Sequence, residues 1–375
     1  MLKGYFVYGG RSRSGTNTSV GVNRKLEDQA AALGEDFDIS MVAVAEPLPF
    51  GKIKSWTRLL PPADLGWGYD EALSEIENAD FVYIRKIFFE KKFLDFLKAI
   101  KEKNKDCLIL LEIPTYPYDG QMVKRRKYKL LLWKEKIYRK KLKGLVERIV
   151  TFSSAKEIFG VKTISTVNGI SYDRIPLSRK QYEKGELNLM AVAHFQTSHG
   201  YERVIRGLSE YKKKEQGTKV TLHMVGGGSE LPLYKKLVKD LELESEVIFY
   251  GPKFGEELTD ILNRADVALG CFGLYKDGIS EISALKTADY IARGIPVVSG
   301  GKERPLSDDL PEFYFEFPND SSSVDIEKII EFANKCYEGR QTDEVRKGIR
   351  DYAEKRLDIV KTMEPVASFI KVRHD

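Results

Sequence analysis

Glu281 and Asp289 are the residues of this 375-residue chain best placed for chemistry. They lie eight positions apart in GISEISALKTADYIARGIPVVSG, residues 278–300. A carboxylate is an acceptor, so each acid can take both hydroxyls of a cis diol or stabilise positive charge developing on a reacting carbon. Ala284, Leu285, Ala288, Ile291 and Ala292 recur at helical spacing, Gly294 supplies the stop, and Ile295–Val298 reads as an apolar, β-branched strand. Both acids are therefore expected on one helix and the turn leading into it, roughly 12 Å apart along its axis. By themselves, two acids at this spacing read as an ordinary exposed pair on a surface helix.

Their meaning comes from the elements upstream. Leu187–His194 reads as a short strand and HFQTSHGYERVIRGLSEY as a loop and helix; LHMVGGGSELPLYKKL, VIFYGPKFGEEL and ILNRADVALGCFG continue the strand–loop–helix alternation. Together with Glu281 and Asp289, and over residues 187–300, these segments resemble the donor half of the family 4 retaining glycosyltransferases and their Glu-x7-Glu signature. The His199–Arg203 element is most similar to that of capsule and exopolysaccharide transferases. The resemblance implies an α/β chain of GT-B fold, two facing Rossmann-like domains with parallel sheets and a cleft between them. It implies transfer of a hexose-type sugar, with retention and without a metal or other cofactor, from a nucleoside diphosphate sugar to a glycan or lipid-linked acceptor. Glu281 would be the catalytic residue against the donor sugar and Asp289 the ribose ligand. Donor contacts would also come from His194, His199, Arg203, Lys253, Phe254, Leu258, Lys276, Ile282, Ser283 and Leu285.

Two departures from the family pattern stand out. Asp289 replaces a glutamate, and His194 and His199 stand where an arginine and a lysine usually bind the diphosphate. A neutral imidazole compensates less charge, although an adjacent dianion raises its pKa. Lys276 is then expected to swing onto the leaving phosphate, helped by amide donors of the helix start near Ile282 and Ser283 and with Lys286 and Arg203 close by. The same departures leave two rival readings open: a transferase-like subunit that only binds glycan or a partner transferase, and a nucleotide-sugar epimerase of the same fold.

In the first half, Tyr5–Tyr8, Phe37–Val44, Phe81–Ile84 and Cys107–Leu111 read as strands, each followed by a loop or helix. That predicts a parallel-sheet acceptor domain over residues 1–170, a linker over 171–186, a donor domain over 187–349, and a helix over 350–375 that packs back on the first domain. Parallel sheets bind ligands beyond the carboxyl ends of their strands. Gly15, Arg85, Glu112 and Tyr116 are on that basis assigned to the acceptor, with Tyr116 and Tyr118 reading equally as loop packing. His223, inside a strand, reads as a packed histidine. Asp36 and Asp38 match a metal-binding Asp-x-Asp, but they begin a strand instead of ending one, so they are read as a surface turn.

Charged residues make up 31% and hydrophobic residues 42%, ordinary for a soluble globular protein. No run of 18 apolar residues appears, and MLKGYFVYGG reads as a first strand, so a cytoplasmic location is expected. Three dispersed cysteines without a CxxC argue against a disulfide framework or structural zinc. No HExxH, nucleophile elbow or P-loop supports hydrolysis or phosphoryl transfer. From Lys124 to Arg148 twelve bases face two acids, a local +10 in a chain of net +5. Leu130, Leu131, Trp133, Ile137, Tyr138, Leu142 and Leu145 interleave with them. Such a helix suits the headgroups of an anionic membrane, where a lipid-linked acceptor would be found; it is equally a solvated face whose apolar side is core. No nucleic-acid motif accompanies it.

Overall fold

The computed structural model describes residues 1–11, 20–47, 58–61, 63–122, 126–214 and 217–374, with backbone alone at 11, 20–22 and 126–127. The chain forms two compact units, Met1–Val167 with Ile359–Asp375, and Asn168–Asp358. Gly15, Lys124 and Arg125 lie outside the described residues.

Unit 1 is built on β1 (Lys3–Arg11), β2 (Asp38–Ala45), β3 (Phe81–Arg85), β4 (Leu108–Ile113), β5 (Arg148–Thr151), β6 (Glu157–Ile158) and β7 (Val161–Ser165). They lie in the order β2-β1-β3-β4-β5-β7-β6, parallel except for the β6–β7 pair. The central strands β3 and β4 are almost wholly apolar because both their faces are covered, as the middle of a parallel sheet requires. Alternation divides the side chains: Val7, Val82, Ile84, Ile109 and Leu111 enter one core, while Phe6, Phe81, Tyr83, Leu108 and Leu110 enter the other. The second core is completed by Ile359, Met363, Val366 and Ile370 of the helix Ile359–His374.

Unit 2 contains β8 (Glu186–Val192), β9 (Lys219–Val225), β10 (Val247–Gly251), β11 (Val267–Leu269), β12 (Glu281–Ile282), β13 (Val297–Ser299), β14 (Lys302–Glu303) and β15 (Tyr314–Glu316). Six of them form a parallel sheet in the order β10-β9-β8-β11-β13-β15, and β12 pairs with β14 alone. The strand order reverses between β8 and β11. At such a switch point the loops leaving the carboxyl ends diverge and open a crevice suited to a ligand.

Segment 171–186 does not behave as a free linker. Arg350 donates to the carbonyls of Tyr172 and Ile175 at 3.2 and 2.7 Å, Arg346 donates to that of Lys180 at 3.0 Å, and Tyr182 stacks on Tyr337 at 4.4 Å. These contacts bind the segment to unit 2. The end of the chain is likewise two helices, Thr342–Leu357 in unit 2 and Ile359–His374 in unit 1. Among the described residues no helix is long and apolar enough to cross a membrane.

Candidate functional site

The switch point of unit 2 is lined by the loop after β8, which carries His194 and His199, and the loop after β11, Gly270–Gly273. Backbone bonds join them: Phe272 N–H donates to the His199 carbonyl at 2.8 Å and Gly273 N–H to that of Ser198 at 3.0 Å. Gly200 closes this contact in a left-handed conformation, φ +59°, and a Cβ there would stand 2.4 Å from Gly273 N. On the other flank, a Cβ on Gly226 would meet the Ala193 carbonyl oxygen at 1.9 Å, so the loop after β9 also packs backbone to backbone. These glycines hold the histidine loop in place.

Lys286, in the first turn of the helix Leu285–Ala292, reaches into this point. Its ammonium donates to the Tyr201 hydroxyl and the Gly270 carbonyl, both at 2.7 Å. His199 lies against the Tyr201 ring, and its Nδ1 accepts from Gln196 N–H at 2.9 Å. Burial pushes the His199 imidazole down to about 2, with Lys286 and His194 adding to the effect and the Gln196 contact opposing it. His199 is thus neutral, with its proton on Nε2 because Nδ1 is an acceptor. Of the two states open to it, His199 takes that of a neutral N–H donor here. His194 is exposed at the mouth of the same loop.

Three sequence-based assignments change here. Lys276 is ion-paired with the buried Glu202, so the cation beside the histidine loop is Lys286. Arg203 is 1% exposed, and its guanidinium donates to the carbonyls of Ser322, Phe272 and Pro318 and to Asp320. It clamps loops together and has no face left for a donor. Glu281 is not helical: it sits in β12, opposite Lys302, and the helix starts four residues later. Residues in extended conformation advance about 3.3 Å each, so the 12 Å helical spacing to Asp289 does not apply.

Asp289 is on the helix and is bonded to Arg293, Nε to Oδ2 at 2.9 Å. Ser283 is buried, its hydroxyl accepting from Asn168 N–H at 2.8 Å, whereas Ile282 and Leu285 are half-buried beside it. Lys253 makes an exposed pair with Glu257 at 3.2 Å, a contact of little energetic weight. Phe254 is 62% exposed and precedes the helix Gly255–Leu262, in which Leu258 is half-buried. His223 is buried as expected, between the Tyr250 hydroxyl and Asn188.

The residue that sequence reasoning missed is Glu303. It is fully buried, and its carboxylate accepts from Ala284 N–H at 3.2 Å and from the Thr287 hydroxyl at 3.0 Å. It therefore occupies part of the helix start that had been assigned to a phosphate. Burial pushes it up to about 7; Ala284, Thr287 and Lys286 oppose this and Glu316 reinforces it. Its only local signal is its place just after the apolar run PVVSGG.

In unit 1 the acceptor assignment is revised at Glu112. This acid is fully buried, bonded to Arg85 at 2.8 Å, Lys25 at 3.4 Å, Gln29 at 2.8 Å and the Tyr83 hydroxyl at 2.7 Å. Burial would raise its pKa, yet Lys25 and Arg85 bring it down to about 2. It is an internal counter-ion, leaving the partly exposed Arg85 nearest the strand end. Tyr116 packs edge-on to Phe159 at 5.8 Å, and the buried Tyr118 donates to Glu135. The basic segment forms the helix Arg126–Arg139, whose inner side buries Leu132, Lys134, Glu135 and Tyr138. Lys134 pairs there with Glu90 at 2.9 Å. Its outer side shows Lys129, Trp133 and Lys136.

Residues 175–307 match the family model of glycosyl transferases group 1. Comparison with curated proteins finds no match. Among solved structures, the chain is similar to a glycosyltransferase from Rickettsia africae at 13% identity and TM-score 0.64, covering 100% of this chain and 99% of that one. Sucrose-phosphate synthase from Thermosynechococcus elongatus gives 12% identity and TM-score 0.65, covering 99% of each. Anabaena HepE in complex with UDP-glucose gives 13% and 0.61, covering 98% of this chain and 99% of that one. The chain has the two-domain α/β fold of the GT-B glycosyltransferases.

Proposed function

We propose that this chain is a retaining glycosyltransferase moving a hexose-type sugar from a nucleoside diphosphate sugar to a glycan or lipid-linked acceptor in polysaccharide biosynthesis. The observation that carries the reading is a coincidence of position: the family-model match, residues 175–307, spans the switch-point loop that holds His199, the helix that carries Lys286 and the strand that carries Glu281. HepE, a neighbour of the same fold, is known with UDP-glucose bound.

In this reading the sugar–phosphate bond breaks and the diphosphate leaves with the bonding pair. Lys286, the His199 Nε2–H and the first helical amides, which have no partner within the helix, compensate its charge. Glu281 stabilises the positive character of the sugar carbon while the acceptor hydroxyl attacks from the same face, its oxygen forming the new bond to carbon and its proton passing to the departing phosphate oxygen. Arg85 and Tyr116 stay on the acceptor side. The compensation is assigned to protein groups, so activity should persist in excess EDTA; loss on chelation, restored by manganese or magnesium, contradicts the metal-independent part of the proposal.

The face Lys129, Trp133 and Lys136 is proposed to rest on an anionic membrane that presents the acceptor. A second reading, a transferase-like subunit that binds glycan or a partner transferase without turnover, is favoured by one observation, the Asp289–Arg293 pair, which engages the proposed ribose ligand. Hydrolysis of a nucleotide-sugar panel without acceptor separates the two: measurable release of nucleoside diphosphate supports the transferase, and binding without any hydrolysis or transfer supports the subunit.

A further inference from the structure

We propose that Glu303 is a positioning residue of the donor site, fixing the turn that carries Glu281 and drawing protonation from solvent when a nucleoside diphosphate sugar binds. The inference rests on the donor-site reading above.

The geometry has two parts. Through β14, Glu303 lies opposite Ile282, and its neighbour Lys302 lies opposite Glu281. Its side chain then returns to Ala284 N–H and the Thr287 hydroxyl at 3.2 and 3.0 Å. One residue thus ties the Glu281 strand to the first turn of the Leu285–Ala292 helix. Its own N–H donates to the Tyr314 hydroxyl at 3.3 Å.

The surroundings make its charge conditional. Lys286 faces it from the helix, but that ammonium is already placed on Tyr201 and Gly270. Glu316 and the Tyr314 phenol face it from β15, and the Tyr201 phenol and Cys271 thiol from the loops below. Among the described residues no lysine or arginine donates to it. A diphosphate placed at the same helix start brings two further negative charges, and like charges disfavour the ionised form. Burial has already brought this carboxyl to about 7, within reach of a neutral solution. The contacts survive protonation: one oxygen keeps Ala284 N–H, and the new O–H donates to Thr287, whose hydroxyl serves as either donor or acceptor.

The diphosphate of a nucleotide sugar holds no titrating proton near neutrality, so any proton uptake belongs to the protein. The test is calorimetry of UDP-glucose, GDP-mannose and ADP-glucose near pH 7.5, in two buffers of different ionisation enthalpy. The wild type should take up about half a proton with the donor it accepts and bind it roughly five-fold tighter at pH 6 than at pH 8, the linkage expected for about one pKa unit of coupling. Glu303→Gln should bind the same donor with neither uptake nor pH dependence. In Thr287→Val, which lacks the hydroxyl favouring the ionised form, the uptake maximum should move to higher pH. Binding by the wild type without uptake, or uptake undiminished in Glu303→Gln, overturns the role of Glu303 while leaving the donor site standing. No binding of any of the three donors overturns the donor-site reading and this inference with it.

Discussion

Arg293 grips Asp289 across one turn of the helix, Nε to Oδ2 at 2.9 Å and Nη2 to Oδ1 at 3.4 Å. The arginine side chain is 9% exposed and the aspartate 29%. The pair therefore fixes the carboxylate while leaving it accessible, and the shorter side chain of Asp289 is held in one orientation.

If that orientation serves the ribose diol, Asp289→Ala should weaken nucleoside diphosphate binding by roughly 1.5–3 kcal/mol, the range of hydrogen bonds to charged groups. Asp289→Glu should bind at least as well as the parent. Equal affinity of all three proteins by calorimetry means that Asp289 serves only Arg293.

Glu281→Gln keeps the shape of the β12 turn and removes its charge. Donor affinity should stay within a few-fold, and turnover should fall by about 100-fold or more, as for loss of a contact made in the transition state. Near-normal turnover of the purified variant removes Glu281 from the chemistry.

Glu112 bears on stability instead. Its folded pKa, about 2, lies below the ordinary value of 4.5, so the stability it contributes is present above about pH 4.5 and is lost as pH falls toward 2. Glu112→Gln leaves Lys25 and Arg85 facing a neutral amide and should cost about 3–5 kcal/mol in denaturant unfolding. It should also flatten the acid limb of the stability profile. A variant as stable as the parent, with the same acid limb, refutes the counter-ion role.

The outer face of the Arg126–Arg139 helix predicts binding to anionic vesicles that weakens with salt. Replacing Lys129 and Lys136 by Gln should cost about 1 kcal/mol for each base near the surface, read by cosedimentation. A parent protein that stays in the supernatant at low salt shows the face to be merely solvated, and the acceptor need not be at a membrane.

The sheets were legible through their central strands, apolar on both faces, a local pattern that residues 81–84 and 108–111 carry. Partners distant in sequence were not legible. The helical periodicity ends at Ala284, and Glu281 is drawn into a strand by its pairing with Lys302, far along the chain. Lys276 and Lys286 look alike in sequence; Glu202, far upstream, neutralises the first. Glu112 stands at a strand end, where a ligand-facing acid belongs. Lys25 and Gln29, one turn apart on the helix Val20–Gly34, close over it, and that polar pair on a helix was an available signal. Segment 171–186 is polar and turn-rich like a linker, and the arginines that fasten its carbonyls come from the helix Thr342–Leu357.

Unit 1 is discontinuous in the chain, since the helix Ile359–His374 supplies Ile359, Met363, Val366 and Ile370 to a core shared with Phe6 and Phe81. During synthesis, which proceeds from the amino end at about 5–20 residues per second, Phe6 and Phe81 emerge long before the helix that covers them. Unit 2, contiguous from Asn168 to Asp358, has its whole sequence available first. The later-made unit 2 is thus able to complete its core first, and the face that Phe6 and Phe81 present stays open until the helix from Ile359 has followed.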